Sequence, residues 1–187
     1  METLDDVLLD AEEKMDSTVR LLKEQFAGLR TGKASPAMVE NIQVPYYGTP
    51  TRLREMAGIS VPEPRLIVIN AYDPTALPDI EKAILAANIG VTPRNDGRVI
   101  RLPVPELSEE RRKEIVKVAK RQAEEARVSV RNVRRDANEA AKALQKKGDA
   151  TEDERDTALA DIQKLTDGRI AAIDTELKNK EAEIMTV

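Results

Sequence analysis

All ten prolines of this 187-residue chain fall between Pro36 and Pro105. Inside a helix, proline removes a backbone donor and clashes with the preceding turn, costing roughly 3 kcal/mol. Long helices can therefore form only in the two flanks, 1–35 and 106–187. The middle segment must fold differently.

Both flanks carry helical periodicity. In the first, Leu4, Leu8, Ala11, Met15, Thr18, Leu22, Phe26 and Leu29 recur at spacings of four and three, which predicts a seam along a helix of about 28 residues. Thr31-Gly32 is the expected stop, with the glycine as a left-handed cap. The second flank opens at Ser108, an N-cap residue, followed by Glu109 and Glu110 at the positive end of the helix dipole. Ile115, Val118, Gln122, Ala126, Val130, Val133, Ala137, Ala141 and Leu144 continue as a seam to Lys147, a helix on the order of 60 Å long. Gly148-Asp149 breaks it, and Thr151 through Glu154 supplies a capping box. A third helix then carries Leu159, Ile162, Thr166, Ile170, Ile173, Leu177 and Ile184.

Three long apolar seams must cover one another, so the expected architecture is an elongated antiparallel three-helix bundle, and a chain that closes its own seams is expected to be a monomer. The middle segment lies between helices one and two and so becomes an inserted second domain. The fold class is α+β with two domains: residues 1–30 and 106–187 form the bundle and 31–105 the insert. The connections are Arg30-Thr31-Gly32-Lys33 and Pro103-Val104-Pro105, a natural pair of hinge strands. In the insert, residues 41–44, 58–61, 65–70 and 98–102 read as strands. Residues 80–87 read as one helix ending near Asn88 and Gly90, giving a small β/α/β module.

The net charge of −4 hides a sorting by element. Lys and Arg minus Asp and Glu gives −4 for residues 1–30, +1 for 31–105, +4 for 106–150 and −5 for 151–187. The middle long helix is thus basic between two acidic ones. At 100° per residue, Lys120, Arg127, Arg131, Arg134 and Asn138 lie within roughly 60° of one another, about 120° from the apolar seam. This stripe is expected to be exposed. Arginine's planar fork suits phosphate oxygens, and clustering strengthens the field. Pairing of the same residues with acidic neighbouring helices is the competing reading, each exposed pair contributing about 0–1 kcal/mol. The density of arginine in VSVRNVRRDAN favours RNA. With only four aromatics in the chain, contacts to the phosphates and shape of folded RNA fit better than base stacking.

Composition removes most chemistry. Cysteine and histidine are both absent, which excludes disulfides, a thiolate nucleophile, Cys/His zinc sites and the usual neutral-pH general base. No enzyme, cofactor or metal is expected. No apolar run approaches the roughly 20 residues of a membrane span. The acidic N-terminus lacks a signal core, so a cytoplasmic protein is expected.

Gly28 to Ser35 superficially suggests a phosphate-binding loop. The glycine spacing is one short, and Ala34 stands where a magnesium ligand belongs. Glu152-Asp153-Glu154 lacks calcium-loop spacing and is better read as a helix start. Of Tyr46 and Tyr47, at alternating strand positions, one should face inward; the pair could otherwise be an exposed binding element.

Three stretches, LRTGKASP (29–36), LSEERRKEIVK (107–117) and ARVSVRNVRRDAN (126–138), closely resemble the ribosome recycling factors. VPYYGTPT (44–51) and DIQKLTD (161–167) extend the likeness, which runs nearly end to end. Lys33 departs from it, since many members carry arginine there; the charge stays but the fork is lost. The resemblance implies an L-shaped molecule of tRNA-like outline. It also implies binding to the post-termination ribosome through large-subunit ribosomal RNA. Dissociation into subunits, with release of mRNA and tRNA, is then driven by elongation factor G and that factor's GTP hydrolysis. Carried onto this chain, the arginine of VRN is Arg131, the leading candidate for RNA contact. Arg127, Arg134, Arg135, Lys120, Arg30 and Lys33 support it, and Arg135 is the member most expected to pair with an acid instead. An adaptor binding another protein through the helical arm is the alternative, and a carboxylate-pair enzyme a distant third.

Overall fold

The computed structural model describes residues 3–186. The chain separates into two compact units: residues up to Leu29 together with Lys113–Thr186, and Arg30–Arg112.

The first unit is built from α1 (Leu4–Ala27), α4 (Glu109–Lys147) and α5 (Glu152–Met185). Local chemistry sets their ends. Ser108 Oγ accepts from Arg111 N (3.1 Å) at the start of α4. Thr151 Oγ1 accepts from Glu154 N while the Glu154 carboxylate accepts from Thr151 N, so a reciprocal box opens α5. Thr3 and Asp6 form the same box at α1. At the end of α4, Gly148 takes φ 86°. This lets Asp149 N reach Leu144 O (3.0 Å) and satisfy a carbonyl the helix leaves open.

Cross-helix contacts give the order of the bundle. Thr18 meets Ser129 (3.3 Å), Arg127 meets Asp174 and Arg169 meets Asp16. Lys23 lies toward Glu176. Helix α4 therefore runs antiparallel to both others, and α1 and α5 run in the same direction.

The seams are rotated from those expected. On α1 the buried residues are Val7, Ala11, Met15, Val19, Leu22 and Phe26; Leu4, Leu8, Thr18 and Leu29 are only half-buried. On α4, Ala119 and Ala123 are buried while Val118, Gln122 and Val133 lie at the margin. Small residues let α4 approach its neighbours, and larger side chains at the edge cover the gap. Helix α1 also stops earlier than expected, at Ala27, with Gly28 in right-handed geometry as its cap. Gly32 is left-handed (φ 78°) but lies in the following segment, against Leu107.

The second unit holds more strands than expected. A hairpin pairs β1 (Gln43–Tyr46) with β2 (Thr49–Arg52), and a single helical turn, α2 (Leu53–Met56), follows. Strands β3 (Ala57–Glu63), β4 (Leu66–Ala71), β5 (Arg94–Asn95) and β6 (Ile100–Pro103) form an antiparallel sheet in the order β3-β4-β6-β5. Ile80 and Ile84 of α3 (Leu77–Ala87) join Val39, Val44, Leu53, Ile67, Ile69, Ile100 and Leu102 in one core. Asn88 ends α3 in the left-handed conformation (φ 49°), which asparagine tolerates.

Candidate nucleic-acid interface

The polar face of α4 is not uniform. Its earlier part is tied to α5. The Arg127 guanidinium donates from Nε to Asp174 Oδ1 (2.8 Å) and from Nη1 to Glu124 Oε2 (3.0 Å). Its side chain is only 19% exposed, which corrects the expectation of an open residue: Arg127 packs along the α4–α5 junction. Burial pulls its pKa down, but the hydrogen bonds and charges of Asp174 and Glu124 outweigh this and leave it raised. Lys120, one turn or two nearer the helix start, lies 3.9 Å from Glu181.

Further along α4 the pairing thins out. Arg131 is 42% exposed and reaches only Glu124, at 3.6 Å. In the antiparallel register, one turn on from Arg127 on α4 lies opposite one turn back from Asp174 on α5, where Ile170 stands. Arg135 is exposed and Arg134 half-buried; among the described residues, no carboxylate forms an ion pair with either. Arg135, expected to be the paired member, is thus less engaged than Arg127. Arg134 Nε and Asn138 Oδ1 are buried and find no hydrogen-bond partner among the described residues. Three arginines within five residues therefore present donors that the bundle leaves unused.

Glu124 was not legible as part of this site. It bridges Arg127 and Arg131, and its spacing of three and seven residues from them was the available signal.

Arg30 and Lys33 belong to the other unit. Arg30 lays its guanidinium over Gly90, so close that a Cβ at position 90 would sit 2.6 Å from Nη1. That approach, with φ 80°, is why position 90 is glycine. Lys33 is exposed. Of the expected hinge residues, Thr31 is buried and Gly32 contacts Leu107. Pro103 pairs with Leu66 as the last residue of β6, and buried Val104 donates its N–H to Arg65 O (2.7 Å). Pro105 is exposed, and Glu106 beyond it pairs with Arg65. These segments are packed into the second unit.

Among the described residues, no group of acidic side chains could hold a metal ion. No described helix is long and apolar enough to cross a membrane.

A helical bundle with an inserted α+β unit and a partly unengaged arginine face defines a binding factor. The sequence profile of "Ribosome recycling factor" matches residues 22–185. The ribosome-recycling factor of Bacillus subtilis (strain 168) is 50% identical over 182 residues, covering 97% of this chain and 98% of that protein. That of Syntrophomonas wolfei is 52% identical at the same coverage. The solution structure of a ribosome recycling factor superposes with a TM-score of 0.83 at 44% identity, covering both chains fully. A second structure models the Thermus thermophilus factor and Escherichia coli elongation factor G on the E. coli post-termination complex. It gives a TM-score of 0.68 at 40% identity, over 98% of this chain and all of that one. The chain belongs to the ribosome recycling factor family.

Proposed function

We propose that this protein recycles ribosomes. It binds the post-termination ribosome through large-subunit ribosomal RNA. With elongation factor G, whose GTP hydrolysis drives the step, it promotes separation into subunits and release of mRNA and tRNA. The protein performs no covalent chemistry itself, and it works as a monomer in the cytoplasm.

The observation that carries the RNA contact is the unengaged arginine run. Arg131, Arg134 and Arg135 present forked donors on one helix face, and the carboxylates of α5 that neutralise Lys120 and Arg127 stop short of them. Forked donors match phosphate oxygens in pairs. Anchoring through a rigid helix also fixes the register of the bundle on folded RNA, without any need to read bases. Arg127 supports the face indirectly by clamping α4 to α5. Arg30 and Lys33 are secondary contacts from the other unit. The connections at 30–33 and 103–105 let that unit move when the GTPase pushes it, turning the push into a wedge between subunits.

The test is co-sedimentation with post-termination ribosomes across a salt series. Arg131→Ala is expected to weaken binding about tenfold and to flatten the salt dependence, since each phosphate contact contributes to that slope. Its melting temperature should be unchanged. Wild-type affinity in the variant, or a lowered melting temperature, would assign Arg131 to the bundle instead.

A further inference from the structure

The sequence reading left Tyr46-Tyr47 divided between a core and a binding role, and the structure separates the two residues. Tyr46 ends β1 opposite Thr49 and packs against the core of its unit. Its hydroxyl donates to Asp73 Oδ2 (2.9 Å). Tyr47 is not in the strand. It is the first of two turn residues, with φ 48°, followed by Gly48 at φ 77°. Positive φ at both central positions is the pattern of the tight turn that suits Asn-Gly and disfavours bulky side chains. The Tyr47 ring is 85% exposed, and its one recorded ring contact is edge-on to Tyr46, 4.6 Å between centroids. A left-handed, solvent-facing tyrosine thus stands where the turn itself would be better served by asparagine. Backbone strain of this kind, unrewarded by burial, points to use outside the fold.

The surroundings narrow the partner. Asp73 is held ionised by the Thr75 hydroxyl and N–H, with the Tyr46 hydroxyl adding to them. A second exposed ring, Tyr72, precedes this aspartate in the chain. Neither 44–51 nor 71–79 contains a lysine or arginine. Aromatic platforms for nucleic acid come with a cationic track for the backbone; here the charge is negative. Exposed tyrosines flanking a carboxylate instead suit a protein pocket, with the rings filling an apolar floor and the carboxylate meeting a basic rim.

We propose that Tyr47, braced by Tyr46 and Asp73, is an aromatic anchor that docks into an apolar, cation-rimmed pocket on a protein of the recycling complex. This rests on the recycling function above, and it assigns the second unit a protein contact while α4 takes the RNA.

The test uses full-length protein with purified post-termination ribosomes, elongation factor G and GTP. Tyr47→Asn supplies a residue the turn prefers. Subunit splitting should slow at least tenfold, while the melting temperature stays within a few degrees of wild type. Tyr47→Phe, which keeps the ring, should retain most of the rate. A photo-crosslinking benzoylphenylalanine at position 47 should yield a protein adduct in the same mixture. Wild-type splitting by Tyr47→Asn overturns the inference, as does a large loss of its melting temperature, which would make the ring structural. An adduct to ribosomal RNA overturns the choice of partner. If the wild-type protein itself does not split ribosomes, the recycling function fails and takes this inference with it; the wild-type control separates that failure from the others.

Discussion

Two stretches of the same helix face carry the same kind of residue and have different fates. Lys120 and Arg127 face Glu181 and Asp174 of α5. Arg131, Arg134 and Arg135, one to two turns further on, face a part of α5 that offers no acid to them, with Ile170 opposite Arg131. Nothing in the local sequence of α4 distinguishes the two groups. The partner helix does, by where its carboxylates fall in the antiparallel register. A cation that closes a helix junction and a cation available to a ligand can be neighbours in one stripe.

The largest expected effect tests the free stretch. Replacing Arg131 and Arg135 together by alanine should lower ribosome affinity by about a hundredfold at moderate salt, if each loses one charge-assisted contact of roughly 1.5–3 kcal/mol. Thermal unfolding should stay within a degree or so. A matching loss of stability would erase the distinction between the stretches.

Next comes the tied stretch. Arg127→Ala strands Asp174 and Glu124 and removes packing at the junction, so it should cost on the order of 1 kcal/mol of stability. For a chain of this size that lowers the melting temperature by about 2–4 °C. Ribosome binding should fall less than in the double variant. An undisturbed melting temperature would show that the α4–α5 junction does not depend on this clamp.

The smallest effect belongs to Lys120. Its contact with Glu181 is long at 3.9 Å and its side chain is 61% exposed, so Lys120→Ala should change stability by less than about 0.5 kcal/mol. A larger loss, measured by denaturant unfolding, would mean that the junction acts as a coupled network.

Much of the fold was legible because it is written locally. The prolines mark where helices cannot run, and Ser108, Thr151 and Gly148 act on backbone groups within a few residues. The β1–β2 hairpin was missed for a local reason too: its turn is Tyr-Gly, and tyrosine hides the Asn-Gly signal. The candidate site was legible as a stripe but not as two stretches. Glu124, Asp174 and Glu181 are ordinary surface acids until the helices are laid side by side.

The sequence by itself determined which segments are helical, where the long helices begin and end, and that a basic helix lies between acidic ones, because capping, proline exclusion and net charge act over one or two turns. Tertiary structure alone decided which residues form the seam, Val7 and Val19 over Leu4 and Leu8, and which arginines remain free. Those outcomes depend on the rotation and register of one helix against another, and these are settled by packing between residues far apart in the chain, such as Arg127 with Asp174.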